Sequence, residues 1–115
     1  MVSDCLFCHL VQGKIESKAV YEDDEIFAFE DINPQAPVHI LIIPKKHIPG
    51  LTRLGEEDKE LIGKIHLVAQ RIAGEHSLSR GGFRIVINSG PDAGETVKHL
   101  HFHLLGGRKL GWPPG

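Results

Sequence analysis

The chain is short of cysteine, of aromatic residues and of net charge, and each shortage narrows what it can be. Two cysteines among 115 residues cannot make a disulfide framework and point to a reducing compartment. A formal net charge of -2 gives no electrostatic reason to expect nucleic acid or a membrane surface as a partner. No apolar run approaches the length that spans a bilayer. Met1-Val2-Ser3-Asp4-Cys5 lacks the basic start and long apolar stretch of a secretory signal. Internal repeats, low-complexity tracts and linkers are missing too. The expectation is one cytoplasmic domain over residues 1–115, with a single modest core.

What the chain does have is His99-Leu100-His101-Phe102-His103-Leu104-Leu105. Imidazole and apolar side chains alternate with period two. A strand sends successive side chains to opposite faces, so three imidazoles share one face and Leu100, Phe102 and Leu104 the other. Imidazole titrates near neutral pH, which equips the row for nucleophilic, acid–base or metal chemistry. A merely exposed strand face would favour Thr, Val or Tyr over three histidines.

The remaining pattern predicts an α+β domain on a five-stranded antiparallel sheet, with one long and one short helix. Ser3 or Asp4 is placed to cap a short helix over residues 5–12, with Leu6, Leu10 and Phe7 as its buried stripe and Gly13 at its end. Strands are expected over 18–22, 25–30, 39–43, 83–88 and the histidine run, with Pro44 ending the third. The long helix is expected over 56–75, where Leu61, Ile62, Ile65, Val68, Ala69, Ile72 and Ala73 recur at helical spacing. His66 and His76 belong to its surface and its end, without a functional role. The tail 106–115 is expected to be neither helix nor strand.

Two further features carry chemistry. Residues 89–96 form a Gly-rich loop running into the histidine strand, where the backbone N–H groups of Gly94, Thr96 and Val97 can approach an anion such as a phosphate ester. Cys5-Leu6-Phe7-Cys8 is a CxxC, either half of a metal site completed by distant histidines or two packed thiols.

The histidine run matches the His-φ-His-φ-His-φ-φ signature of the histidine triad (HIT) superfamily. Residues 31–39, Ile43-Pro44-Lys45-Lys46-His47 and the ending Gly106-Gly107-Arg108 with Trp112-Pro113-Pro114-Gly115 resemble its Hint branch, so the likeness spans essentially the whole chain. The resemblance implies an adenosine 5′-phosphoramidase, cleaving the P–N bond at the α-phosphate of a purine nucleotide such as AMP joined to an amine. His101 would be the nucleophile, forming a nucleotidyl-histidine, with its other ring nitrogen bonded to the carbonyl of His99. His103 would contact the phosphate or help protonate the leaving amine. Thr96 stands where the family usually has serine, and Val97 would give a backbone N–H to the phosphate.

The resemblance further implies that Asp31 accepts from the ribose hydroxyls, that Asn88 holds sugar or phosphate, and that Phe29, Phe7 and Ile15 enclose the base. Gly94, His39 and Trp112 complete the expected substrate contacts. Asp31 as a plain turn residue and the three hydrophobes as plain core are the competing readings. Glu95 replaces a common glutamine and Lys98 a common aromatic residue. Cys5, Cys8, His47 and His99 resemble the zinc site of some bacterial HIT proteins, the alternative being ordinary half-buried thiols. Such a zinc would be structural, and the chemistry needs no cofactor. A homodimer with a continuous ten-stranded sheet is also implied, the tail 106–115 completing it and the active site. Dinucleoside polyphosphate hydrolysis and a non-catalytic nucleotide sensor remain the alternative functions.

Overall fold

The structure, a computed structural model, describes residues 4–115. Its elements in chain order are α1 (Leu6–Val11), β1 (Ala19–Glu22), β2 (Ile26–Glu30), β3 (Val38–Pro44), α2 (Lys59–Glu75), β4 (Phe83–Val86) and β5 (Phe102–Gly106). The five strands form one antiparallel sheet in the order β1-β2-β3-β5-β4. Among the described residues, no helix is long and apolar enough to cross a membrane.

The pleat of β2 explains the two-sided burial. Ile26 and Ala28 point to one face, where they meet Ile40, Ile42, Phe102 and Leu104 beneath the α2 stripe of Ile65, Val68, Ala69, Ile72 and Ala73. Phe27 and Phe29 point to the other, joining Leu41 and Ile43 under α1. A strand covered on both faces needs apolar residues at every position, which is why the centres of β2 and β3 do not alternate. The acidic residues 56–58 form a 3₁₀ turn ahead of α2, and Asp58 is buried there, accepting from Gly55 N–H at 3.0 Å and Lys46 Nζ at 2.7 Å.

Several expected details differ. Helix α1 is capped by Cys5, whose Sγ accepts from Cys8 N–H at 3.4 Å; Asp4 does not cap it, and Ser3 lies outside the described residues. Its buried face is Phe7, Cys8 and Leu10, while Leu6 is 47 % exposed. Strand β3 does end at Pro44, which is itself still in the ladder opposite Ile26. Strand β4 stops at Val86, two residues short of Asn88.

The histidine run enters the ladder only at Phe102. Ahead of it Leu100 N–H bonds the Ile48 carbonyl at 2.7 Å instead of a strand partner, so His99 and Leu100 lie outside β5. The face assignment survives the shortening, with Leu100, Phe102 and Leu104 all in the α2 core. At the far end Gly106 packs tightly: a Cβ there would stand 2.7 Å from Leu78 Cδ1, so the Leu78 side chain would have to shift.

Candidate functional site

The site lies on the α1 face of the sheet, where β3 and β5 run side by side. His101 is 6 % exposed, with the ring of Phe7 edge-on at 5.1 Å and that of His103 at 5.1 Å. The ring Nδ1–H of His101 donates to the His99 carbonyl at 2.7 Å. A carbonyl can only accept, so this bond fixes the tautomer and leaves the lone pair on Nε2. Held this way, the ring presents that nitrogen in a direction set by the backbone.

A second chain of bonds reaches His103. Gln35 N–H donates to His39 Nδ1 at 3.0 Å, so the proton of His39 sits on Nε2. That Nε2–H faces His103 Nδ1 at 2.9 Å, and the carboxylate oxygen Oδ2 of Asp31 lies 3.4 Å away. When Nδ1 accepts that proton, His103 carries its own on Nε2. Burial pushes the His103 imidazole down to about 4, with the charges of His101 and His39 acting the same way and Asp31 opposing them. At neutral pH His103 is therefore an uncharged hydrogen-bond donor. Burial also lowers His39, against the pull of Asp31. The other Asp31 oxygen accepts from Asn33 N–H at 2.8 Å, a turn contact that leaves Oδ2 beside His39.

The third arrangement uses the remaining triad member. His99 is fully buried, and its Nε2–H donates to the Pro44 carbonyl at 2.8 Å. Its Nδ1 lone pair therefore turns toward Cys5 Sγ at 3.3 Å, Cys8 Sγ at 3.6 Å and His47 Nδ1 at 3.2 Å. Cys8 Sγ is also 3.4 Å from His47 Nδ1. One donor atom from each of the four residues lies within 4.8 Å of all the others.

Two sulfurs and two imidazole nitrogens converging on one point are the donor set of a tetrahedral zinc, and a ligating histidine anchored to a carbonyl through its other nitrogen is the usual support. Burial, with the hydrogen bond and charge of Cys5 added, raises the Cys8 thiol to about 11, so any metal must displace a firmly held proton. Asp31, His39 and His103 also lie within 4.8 Å of one another. There the donors do not suit a metal, because Gln35 N–H occupies His39 Nδ1 and keeps the proton on the nitrogen a metal would need.

The other expected contacts are distributed around this centre. Phe7 and Phe29 pack edge to face at 5.6 Å, both buried, while Ile15 is 40 % exposed. Gly94 sits at φ +84, the left-handed conformation that closes the 3₁₀ turn at Pro91–Ala93. Thr96 and Val97 line an open cavity of about 360 Å³ with Cys5, Leu6, His47 and Lys98. Glu95 accepts from Gly90 N–H at 3.0 Å and from Lys98 Nζ at 3.1 Å, and these bonds hold its carboxyl below the usual range. Asn88 is half-buried just past β4. Trp112 is 82 % exposed on a tail tethered by Arg84 Nη2–H to the Gly111 carbonyl at 2.9 Å.

Reading residues in order missed two contributors, the Pro44 carbonyl that aims His99 and the Gln35 amide that aims His39. Both are backbone groups, which side-chain identity does not announce.

The HIT domain family matches residues 12–110. The chain is 47 % identical over 115 residues to an uncharacterized HIT-like protein of Synechocystis, covering 100 % of each. It is 46 % identical to a 14 kDa zinc-binding protein of Zea mays, over 98 % of this chain and 89 % of that one. Among solved structures it resembles a HIT family hydrolase of Legionella pneumophila, with a TM-score of 0.96 and 48 % identity over 97 % of this chain and 100 % of that one.

Proposed function

The chain belongs to the HIT domain family, and on that premise we propose that it hydrolyses adenosine 5′-phosphoramidates through a covalent nucleotidyl-histidine on His101. The observation that carries the reading is the 2.7 Å bond from His101 Nδ1–H to the His99 carbonyl, which frees Nε2 for attack. Similarity to a HIT family hydrolase supports the reaction class.

The Nε2 lone pair of His101 displaces the amine from the α-phosphorus, the amine leaving with a proton taken from solvent, and water then displaces His101 to give AMP and returns a proton to solvent. In net terms water supplies the hydroxyl of AMP and the proton of the amine. Dividing one displacement into two is the gain that covalent catalysis brings. Neutral His103 donates Nε2–H to the phosphoryl group as charge gathers there, joined by the backbone N–H of Val97 and the hydroxyl of Thr96. Asp31 takes the ribose hydroxyls, Asn88 the sugar or phosphate, and Phe7, Phe29 and Ile15 the purine. Gly94 lets the loop approach the phosphate closely.

Cys5, Cys8, His47 and His99 hold a structural zinc in this reading, supported by their convergent donors and by the zinc-binding relative from maize. The metal would join α1 to the sheet and hold His99, with no part in bond making. The whole chain acts as one domain in a homodimer, built across the free edge of β4, where Phe83 is 38 % exposed. Trp112 on the tail then reaches the partner's pocket.

The test is a fluorogenic adenosine phosphoramidate assay on wild type and His101→Ala. The variant should lose turnover nearly completely while still binding AMP. Equal turnover by both proteins removes His101 as the nucleophile.

A further inference from the structure

Asp31, His39 and His103 come from the loop after β2, from β3 and from β5, yet they share one hydrogen-bonding proton. The register explains the meeting. His39 is opposite Leu105 and His103 opposite Leu41, so the two imidazoles are diagonal neighbours on one sheet face. Because Gln35 N–H holds Nδ1, His39 has a single N–H to give, and two acceptors stand before it: His103 Nδ1 at 2.9 Å and Asp31 Oδ2 at 3.4 Å. When His39 donates to His103, the proton of His103 is confined to Nε2, the nitrogen free to face a substrate. When it donates to Asp31 instead, His103 is released to either tautomer.

We propose that Asp31 couples ribose recognition to the hydrogen-bonding state of His103. The inference rests on the phosphoramidase reading and deepens it, since the ligand feature concerned is the vicinal diol of a ribonucleotide. Ribose hydroxyls donating to Asp31 satisfy its carboxylate and withdraw it as a rival acceptor. His39 then gives its proton to His103 alone, and His103 presents Nε2–H to the phosphoryl group. Asp31 and His39 are positioning residues in this scheme. They act on the reaction through His103, and the diol contributes to rate as well as to affinity.

The experiment compares adenosine and 2′,3′-dideoxyadenosine 5′-phosphoramidates as substrates for wild type and for His39→Gln, with kcat and KM measured separately. Removing a contact that binds ground and transition states equally raises KM alone. The expected result is a kcat about tenfold lower for the dideoxy substrate with wild type, the scale of one hydrogen bond. With His39→Gln, whose kcat is already reduced, the diol should no longer change kcat. A diol effect confined to KM in wild type, or an undiminished kcat effect in the variant, overturns the coupling.

A second measurement needs neither turnover nor a variant. Ring ¹⁵N shifts of His103 should report a single Nε2–H tautomer with AMP bound and a mixture with 2′,3′-dideoxyadenosine monophosphate. Identical spectra for the two ligands overturn the proposal. If wild type hydrolyses neither substrate, the phosphoramidase reading fails, and the spectra alone decide the coupling.

Discussion

Phe7→Ala should cost about 3 kcal/mol of stability and slow the reaction at His101. The ring is 5 % exposed, wedged among Phe29, Leu41 and Ile43 with the His101 imidazole against its face or edge. Burying an aromatic ring removes about 150–250 Å² from water, worth roughly 4–6 kcal/mol at 25 cal/mol per Å². Measured Phe→Ala losses in cores run to about 3–5 kcal/mol, and the lower end applies because α1 is one short helix at the rim and can settle inward. For a chain of this size that is roughly a 12 °C drop in Tm.

The natural control is Leu6→Ala on the same helix. Leu6 is 47 % exposed, so its truncation should change stability by less than about 0.5 kcal/mol. Differential scanning calorimetry and urea unfolding of the two variants supply both numbers. Loss of the ring also removes one wall of the His101 imidazole, and kcat should fall by about tenfold, the worth of a lost aromatic packing contact. Equal costs for the two substitutions would mean that Leu6 is buried as deeply as Phe7, and the packing around His101 described above would be wrong.

Protein purified without chelators should carry about one zinc per chain by elemental analysis, and Cys8→Ser should lose it together with thermal stability; metal-free wild-type protein would remove the cluster from the account. In metal-free protein, stability should fall as pH drops from about 6.5 toward 4. His103 has its folded pKa near 4, below its ordinary value of about 6.5, so the unfolded chain binds the extra proton in that window and the contribution is fully present only above it. Allowing for partial solvent screening the loss is about 2 kcal/mol, and His103→Asn should flatten the urea midpoint between pH 7 and pH 4.5; an unchanged slope would refute it. Sedimentation should find wild type dimeric and Phe83→Lys monomeric, because a lysine on the free edge of β4 opposes strand pairing; a dimer that survives the substitution would place the interface elsewhere.

Much of this molecule is legible in its sequence because its strongest signals are periodic. The alternation from His99 to Leu105 fixes which residues face α2, and the helical recurrence from Leu61 to Ala73 marks the long helix, since both follow from backbone geometry alone. The beginnings of elements were harder. Cys5 caps α1 in place of the more usual Ser or Asp types, and of the expected stripe Phe7 and Leu10 are buried together with Cys8, while Leu6 is exposed. Likewise Ile48 takes the Leu100 amide, so β5 begins three residues later than the alternation suggests. The grouping of Cys5, Cys8, His47 and His99 was visible only through family resemblance, and the structure brings them together. The Asp31–His39–His103 link could not be read at all. It depends on the register of β3 against β5 and on one backbone amide, neither of which residue identity encodes.

The most direct test is to mix the protein with an adenosine phosphoramidate, quench within the first turnover and map the peptides by mass spectrometry. A single adenylyl group should appear on the peptide containing His101, with fragmentation placing it on that side chain and no adduct in His101→Ala. An adduct on His103 or His99, or full turnover with no adduct under any quench, would contradict the account.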